Sequence, residues 1–236
     1  MRVNITIPVF NEESRLADTI QRLHAFLMNH PGMDWEIVIA NNGSTDGSLD
    51  VARELSKSCP ELRVVHLDQK GRGGALKKAW LESEADLLSY MDADLSTDLE
   101  AFPKLIGALT QDGYDMAIGS RLLKASEITR SFKRELISRC YNGLVKTMLG
   151  TRFSDTQCGF KAIKREPARK LLPMIQDEGW FFDTELLVTA ERLGYRIFEV
   201  PVRWVEGRHS HVNLLRTAID DFRGLRRLRR KFAGKS

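Results

Sequence analysis

The sequence predicts an α/β protein with one mostly parallel central sheet and helices on both faces. Three observations predict it. Through the first 120 residues, short apolar runs alternate with stretches of helical spacing, the order that builds parallel sheets. Four successive runs end in polar, glycine-rich or acidic segments, which a parallel sheet brings to one edge. The composition is that of a folded domain: 42% of the 236 residues are hydrophobic, ample for one large core, and net charge is only +4.

The elements follow in order. Residues 3–9 are a strand ending at Pro8-Val9-Phe10-Asn11-Glu12-Glu13. Proline stops ladder pairing, and the acids suit the positive end of a helix. That helix is expected over 12–28, from the spacing of Leu16, Ile20, Leu23 and Leu27. Residues 35–40 form the second strand, closed by Asn41-Asn42-Gly43-Ser44-Thr45-Asp46-Gly47. Ser44, Thr45 and Asp46 offer caps to a helix carrying Leu49, Val51, Ala52 and Leu55. Strand 62–67 leads to Gly71-Arg72-Gly73-Gly74-Ala75, which opens a helix over 73–83 and offers backbone N–H groups suited to phosphate. It is not a dinucleotide fingerprint, because Leu76 stands where the third glycine belongs, and no Walker A string occurs. Strand 86–91 ends at Asp92-Ala93-Asp94, and helix 99–109 and strand 115–119 follow.

The second half is less regular. Helices are expected over 136–149, 167–175 and 185–193, and strands over 160–163 and 195–204. Apolar residues at 214, 215, 218, 219, 222, 225, 228 and 232 make a helical stripe. Arg223, Arg226, Arg227, Arg229, Arg230, Lys231 and Lys235 make this final helix cationic. Amphipathic helices of this kind lie on anionic membrane surfaces; the other readings are that the stripe docks on the core or binds a partner. Nucleic acid is a poor partner, since the basic cluster is single and lacks interleaved aromatics. No apolar run approaches the ~20 residues of a membrane-spanning helix, and Met1-Arg2-Val3-Asn4 does not read as a secretory leader. The cysteines Cys59, Cys140 and Cys158 are dispersed, which suggests a reducing compartment.

Asp92-Ala93-Asp94 carries the chemistry. Hard divalent cations take oxygen ligands and leave positions for substrate phosphates, so two carboxylates at a strand end suggest a metal that holds a diphosphate.

Together the motifs resemble those of family 2 glycosyltransferases with the GT-A, Rossmann-like fold. The resemblance rests on Ile7-Pro8-Val9-Phe10-Asn11-Glu12-Glu13, Asn42-Gly43-Ser44-Thr45-Asp46-Gly47, Lys70-Gly71-Arg72-Gly73-Gly74-Ala75, Met91-Asp92-Ala93-Asp94, Gly119-Ser120-Arg121, Phe182-Asp183-Thr184-Glu185 and Glu199-Val200-Pro201-Val202-Arg203-Trp204. Asp155-Thr156-Gln157-Cys158-Gly159-Phe160-Lys161 is similar to the dolichyl/polyprenyl-phosphate glucosyltransferase branch, beside the dolichyl-phosphate mannose synthases. The resemblance implies a metal-dependent inverting transferase that moves a hexose, glucose from UDP-glucose, onto a polyprenyl phosphate. It implies a catalytic domain over 1–212, with a nucleotide-sugar half over 1–120 and an acceptor half over 121–212, followed by the basic helix over 213–236. Donor contacts would come from Pro8, Phe10, Asn11, Glu12, Asn41, Asn42, Ser44, Lys70, Gly71, Gly74, Asp92, Ala93 and Asp94, with Mg²⁺ or Mn²⁺ on Asp92 and Asp94. Arg121, Arg130, Arg134, Gln157, Arg208 and Ser210 would meet phosphate or acceptor, and His209 or His211 could reach the metal.

One departure stands out. The family usually carries an acid where this chain has Asn41-Asn42, although an amide can still meet a uracil edge. Asp183 and Glu185 are the candidates for a general base if the acceptor is a hydroxyl. A lipid phosphate needs no base, and these acids would then position donor or acceptor. A soluble hydroxyl acceptor, a sugar-phosphate nucleotidylyltransferase and a non-catalytic binding module are the alternatives. The expected location is the cytoplasm, peripheral on the cytoplasmic membrane face.

Overall fold

The computed structural model describes residues 1–30, 32–207 and 214–233, with backbone alone at 214–216. The elements are β1 (Arg2–Val9), α1 (Leu16–Met28), β2 (Asp34–Asn42), α2 (Ser48–Ser58), β3 (Leu62–Leu67), α3 (Arg72–Leu81), β4 (Leu87–Met91), α4 (Phe102–Thr110), β5 (Met116–Ser120), β6 (Glu127–Thr129), α5 (Phe132–Leu149), β7 (Phe160–Lys164), α6 (Arg165–Leu171), α7 (Phe182–Arg192), β8 (Ile197–Pro201), β9 (Arg203–Val205) and α8 (Leu214–Phe232).

Seven strands form one sheet in the order β3-β2-β1-β4-β7-β5-β8. All neighbours are parallel except β7, which runs antiparallel to both β4 and β5. The chain steps outward from β1 through β2 to β3, then returns to place β4 on the other side of β1. This reversal opens a crevice beyond the carboxyl ends of β1 and β4, the place where open α/β sheets bind ligands. A small parallel sheet of β6 and β9 lies beside it.

Period-two patterning explains the layers. Val3, Ile5, Ile7 and Val9 of β1 bury into a core that includes Leu16, Ile20 and Leu23 of α1 and Leu105 of α4. On the opposite face β1 presents Asn4 and Thr6, fully buried and fully partnered. Asn4 Nδ2 donates to Glu36 Oε1 at 2.8 Å, and Thr6 Oγ1 donates to Asn4 Oδ1 at 2.7 Å. Such pairing offsets the desolvation of polar groups at the sheet centre. Over this face α3 brings Ala75 and Ala79 onto Val38, Ala40 and Val65. A side chain on Gly73 would have its Cβ 2.5 Å from Phe182 Cβ, so glycine is what lets α3 and α7 meet.

Some expectations shift. The predicted 195–204 strand is two strands in two sheets, divided at Val202, because β8 pairs with β5 only as far as Pro201. β6 is too short to leave a periodic signal. Helix α5 begins at Phe132 rather than 136. The C-terminal part of the α8 stripe docks on the core: Leu225 and Leu228 are fully buried with Phe181 and Leu186, and a Cβ on Gly224 would overlap the Phe181 ring, while Ile219 and Phe222 remain exposed. Arg223, Arg226, Arg229 and Arg230 are left exposed. Among the described residues no helix is long and apolar enough to cross a membrane.

Candidate active site

Asp92 and Asp94 sit where β4 ends, in the crevice at the sheet reversal. The Asp92 amide donates to the Gly159 carbonyl at 3.0 Å, tying β4 to the start of β7. Ser96 N donates to Asp94 Oδ1 at 3.0 Å. Each carboxylate lies over a glycine. A Cβ on Gly159 would overlap the Asp92 carboxylate, and one on Gly207 would lie 2.5 Å from Asp94 Oδ2. Burial first, and the neighbouring Asp94 charge next, raise the Asp92 pKa against the pull of Arg72. A pair of acids held together at this cost is a donor set suited to a hard divalent cation, so these residues fit such a metal. Away from this site, ligand atoms of His24, Cys59 and Glu61 also gather within 4.8 Å of one another.

Behind Asp92 lies a buried ion network. Arg72, at the first position of α3, donates through Nη2 to Asp92 Oδ1 at 2.9 Å and through Nη1 to Asp183 Oδ2 at 2.6 Å. Its guanidinium lies 5.0 Å from the ring centroids of both Tyr90 and Trp180. Lys161, fully buried on β7, pairs with Asp183 Oδ1 at 3.0 Å and donates to Tyr90 Oη at 3.1 Å and to the Cys158 carbonyl at 2.6 Å. The Tyr90 hydroxyl donates to Asp183 as well. Burial disfavours the Asp183 carboxylate, but Lys161 and Arg72 outweigh it and hold its pKa below the ordinary range. Asp183 thus accepts from three donors and is held ionised between two cations. Glu185 faces elsewhere: it accepts from Arg227 Nη2 at 2.8 Å and Asp177 N at 2.8 Å, and so fastens α8. It lines neither of the two cavities that meet at Asp92.

Two cavities meet at Asp92. The first, about 320 Å³, is lined by Pro8, Phe10, Glu12, Asn42, Lys70, Gly71, Ala93 and Asp94 among others. Lys70 Nζ lies 3.6 Å from the Phe10 ring centroid, and Asn42 Oδ1 accepts from the Gly71 amide. The second, about 450 Å³, is a groove between α5 and α8. Arg72, Arg121, Arg130 and Arg134 line it together with Ile137, Leu144, Phe222 and Leu225. Arg72, Asp92, Arg134, Trp180 and Trp204 border both cavities. Arg121 forms a bidentate pair with buried Asp155, Nε–Oδ2 2.8 Å and Nη2–Oδ1 3.0 Å, which leaves Nη1 outside the pair. Although burial opposes it, Arg121 draws the Asp155 pKa down to about 2. Arg121 and Arg130 both approach the Trp204 ring, at 5.6 and 5.9 Å, so the cations cluster at the junction.

Not every expected residue lines a cavity. Asn11, at φ 56°, uses Oδ1 to accept from Thr45 N at 2.8 Å, and its backbone N–H donates to Ser44 Oγ at 3.1 Å. Asn11 and Ser44 thus join the first two strand-end loops. Asn41 is buried with Nδ2 2.9 Å from His66 Nδ1. Gly74 donates its amide to the Glu178 carbonyl at 3.1 Å. Gln157 does line the groove. Arg208, His209, Ser210 and His211 lie outside the described residues. Sequence reasoning passed over Arg72, Tyr90, Trp180, Trp204 and Asp155 as site residues, although Arg72, Asp155 and Trp204 stand inside the family-like motifs. It also passed over Asp221, a buried acid of α8 that lines the groove.

The fold and site define an α/β enzyme that works at the switch point of a mostly parallel sheet, with an acidic pair between two cavities. Comparison with known proteins gives the family. The model described as "Glycosyl transferase family 2" matches residues 4–172, and the chain belongs to that family. It is similar to glycosyltransferase AglD of Haloferax volcanii, 37% identical over 93% of this chain and 35% of the relative. It is also similar to a dolichyl-phosphate beta-glucosyltransferase of Drosophila melanogaster, 36% identical over 87% of this chain and 68% of the relative. The chain thus spans about a third of the first relative and about two thirds of the second. Among solved structures, glucosyl-3-phosphoglycerate synthase from Mycobacterium tuberculosis in complex with phosphoglyceric acid superimposes with TM-score 0.70 at 21% identity, over 95% of this chain and 79% of that one. The same synthase in complex with Mn²⁺, UDP and glucosyl-3-phosphoglycerate gives TM-score 0.67 at 21% identity, over 92% and 75%. At these identities the likeness shows the fold.

Proposed function

We propose that this chain is a metal-dependent inverting glycosyltransferase that moves glucose from UDP-glucose onto a polyprenyl or dolichyl phosphate. One observation carries the reading: a cavity walled by aromatic side chains and edged by Lys70, Arg72, Asp92 and Asp94 meets, at Asp92, a groove with both arginine and apolar walls. The first cavity, with flat apolar walls and charges at its edge, suits a nucleotide diphosphate sugar. The groove suits an acceptor that is anionic at one end and hydrocarbon at the other. The relatives named for dolichyl-phosphate glucosylation point the same way.

In this reading residues 1–120 bind the donor, residues 121–212 present the acceptor, and residues 213–236 follow as a basic helix. Lys70 and Phe10 flank the nucleoside, and Asn42 offers its amide Nδ2 to an acceptor atom on the base edge. Mg²⁺ or Mn²⁺ on Asp92 and Asp94 would supply Lewis-acid stabilisation of the diphosphate leaving group. Arg121, Arg130 and Arg134 hold the acceptor phosphate beside the anomeric carbon, where approximation alone lowers the barrier. The phosphate oxygen is already anionic near neutral pH, so no side chain needs to take its proton. Asp183 keeps Arg72 in place at the junction of the cavities. Single displacement inverts the anomeric centre. The protein acts at the cytoplasmic membrane face, where such an acceptor resides.

A hydroxyl acceptor is the second reading, and Asp221 is the observation that favours it. Burial, Asp177 and Asp220 raise this groove-lining carboxyl to a pKa of about 7, within the range of a general base.

The test is UDP release with UDP-glucose and Mg²⁺ or Mn²⁺, with and without short-chain polyprenyl phosphate, beside Asp94→Ala. Lipid-dependent release that Asp94→Ala abolishes is the expected result. Release that depends on a water-soluble hydroxyl acceptor and disappears in Asp221→Asn would transfer the reading to the second acceptor class.

A further inference from the structure

We propose that the outer face of α5, with the adjoining edge of α8, is a docking surface for an anionic lipid bilayer, seated around the mouth of the groove. The inference rests on the acceptor reading above and adds which surface meets the lipid. A helix on a soluble domain buries its apolar residues and exposes its polar ones. Helix α5 does the reverse over much of its length. Ser138 and Asn142 are buried, together with Val145 and Leu149. Phe132 is 82% exposed, Leu136 52%, Ile137 42% and Leu144 41%. Phe132, Leu136, exposed Cys140 and Leu144 are four residues apart and form one stripe.

The inward Asn142 has a reason within the chain. Asn142 Oδ1 accepts from Thr156 N at 2.9 Å and from Thr156 Oγ1 at 3.0 Å, which fixes the loop carrying Asp155 and Gln157. The outward apolar stripe has no partner among the described residues. Across the groove, Ile219 is 54% and Phe222 48% exposed on α8. Ile137, Leu144 and Phe222 also line the groove, so the exposed patch runs into its mouth. A contiguous apolar patch of this kind marks an interaction site.

Charge selects the occupant. Lys133, Arg139 and Lys146 are exposed on α5, and Arg223, Arg226, Arg229 and Arg230 on α8. The acids of the same surface are engaged: Glu135 pairs with Arg130 and Arg139, and Asp220 with Arg223 at 3.4 Å. Large apolar side chains ringed by net positive charge suit the headgroup–acyl boundary of an anionic leaflet. The expectation of an α8 stripe lying in the membrane is thereby narrowed: Leu225, Leu228 and Phe232 of that stripe are spent on the core, Ile219 and Phe222 stay exposed, and α5 provides the rest of the apolar contact.

Cosedimentation with vesicles of phosphatidylcholine containing phosphatidylglycerol, against pure phosphatidylcholine, tests this. Phe132→Glu and Leu136→Glu are each expected to weaken binding about ten-fold or more, with unchanged thermal stability because both side chains are already exposed. Arg226→Glu with Arg230→Glu should weaken binding to anionic vesicles alone. UDP release with a short-chain acceptor in solution should stay at wild-type level in Phe132→Glu, while release with a long-chain acceptor embedded in vesicles should fall. Vesicle binding within two-fold of wild type in both glutamate variants overturns the proposal. So does a dimer in sedimentation velocity that these variants dissociate while vesicle binding persists, since a second copy would then cover the face. If vesicle binding falls as expected but no acceptor phosphate stimulates release in either format, the docking surface stands and the functional reading fails.

Discussion

Replacing Asp183 by asparagine separates an anchor from a base. The substitution keeps shape and removes one charge that faces two cations, Arg72 at 2.6 Å and Lys161 at 3.0 Å. Removing one member of a buried ion pair costs about 3–5 kcal/mol, because the other charge stays desolvated. Arg72 keeps Asp92 at 2.9 Å, which places the cost toward the lower end. Lys161 keeps no carboxylate among its described contacts, only the Tyr90 hydroxyl and the Cys158 carbonyl. About 3 kcal/mol is therefore expected at pH 7, a shift of roughly 1 M in the urea midpoint. The pH dependence fixes the cause. The folded pKa of Asp183 lies below its ordinary 3.8, so its contribution is full above that value and is lost as pH falls through the folded value. The gap between wild type and variant should be constant from pH 5 to 7 and narrow below pH 4. A second variant, Asp183→Asn with Lys161→Met, should recover part of the loss. Urea titrations from pH 3 to 7, with kcat and acceptor KM for each variant, make the assay. A cost under about 1 kcal/mol at pH 7, together with a large loss confined to kcat, would refute the anchoring argument and return Asp183 to the role of base.

Three further outcomes follow from the same geometry. Gly159→Ala places a Cβ on the Asp92 carboxylate, so it should lower UDP release about a hundred-fold or more while the urea midpoint moves little; calorimetric Mn²⁺ titration should show weakened binding. Asp94→Ala should leave thermal stability near wild type and remove Mn²⁺ binding, and EDTA should silence the wild type until Mn²⁺ is restored. Asp221 has a folded pKa raised to about 7, so the folded state is most stable where this acid stays neutral, below its ordinary 3.8, and loses stability as pH rises toward 7. Asp221→Asn should remove that decline, by at most ~4 kcal/mol at pH 8, and parallel stability–pH curves for the two proteins would contradict the burial argument.

The donor edge was the most legible part of the chain. β1 announces itself by apolar alternation, and β2 and β4 by short apolar runs, and Asp92 at such an end needs no tertiary knowledge to be placed. Asn11 and Ser44 were harder, since the side chains that recognise a base edge are the same ones that tie turns together, and here they tie turns. Asp183 and Glu185 stand two apart on a helix and so point in different directions, one to the site and one to α8. No spacing rule says which. Arg72 hid inside a glycine string read for its backbone, and Trp180 and Trp204 reach the site from distant segments. Periodicity also cannot say what covers a stripe: the last turns of α8 met the core while Ile219 and Phe222 did not, and the outward apolar residues of α5 broke its pattern and shortened the expected helix.

The single reversed strand has a wider meaning. Because β7 lies beside β5, the chain that leaves the sheet after Ser120 comes back to it at Phe160, right next to its point of departure. The Arg121–Asp155 pair and the 2.6 Å contact between Ser120 Oγ and Ser154 Oγ clasp the two ends together. Everything strung between them, α5 and its arginines included, is a cassette mounted on a finished sheet. Its contents can lengthen, shorten or change character while the clasp bears the closure and the strand-end loops around Asp92 stay where they are. A chain built on this plan can reshape the α5 wall of the groove by rewriting one excursion, without moving Asp92 and Asp94.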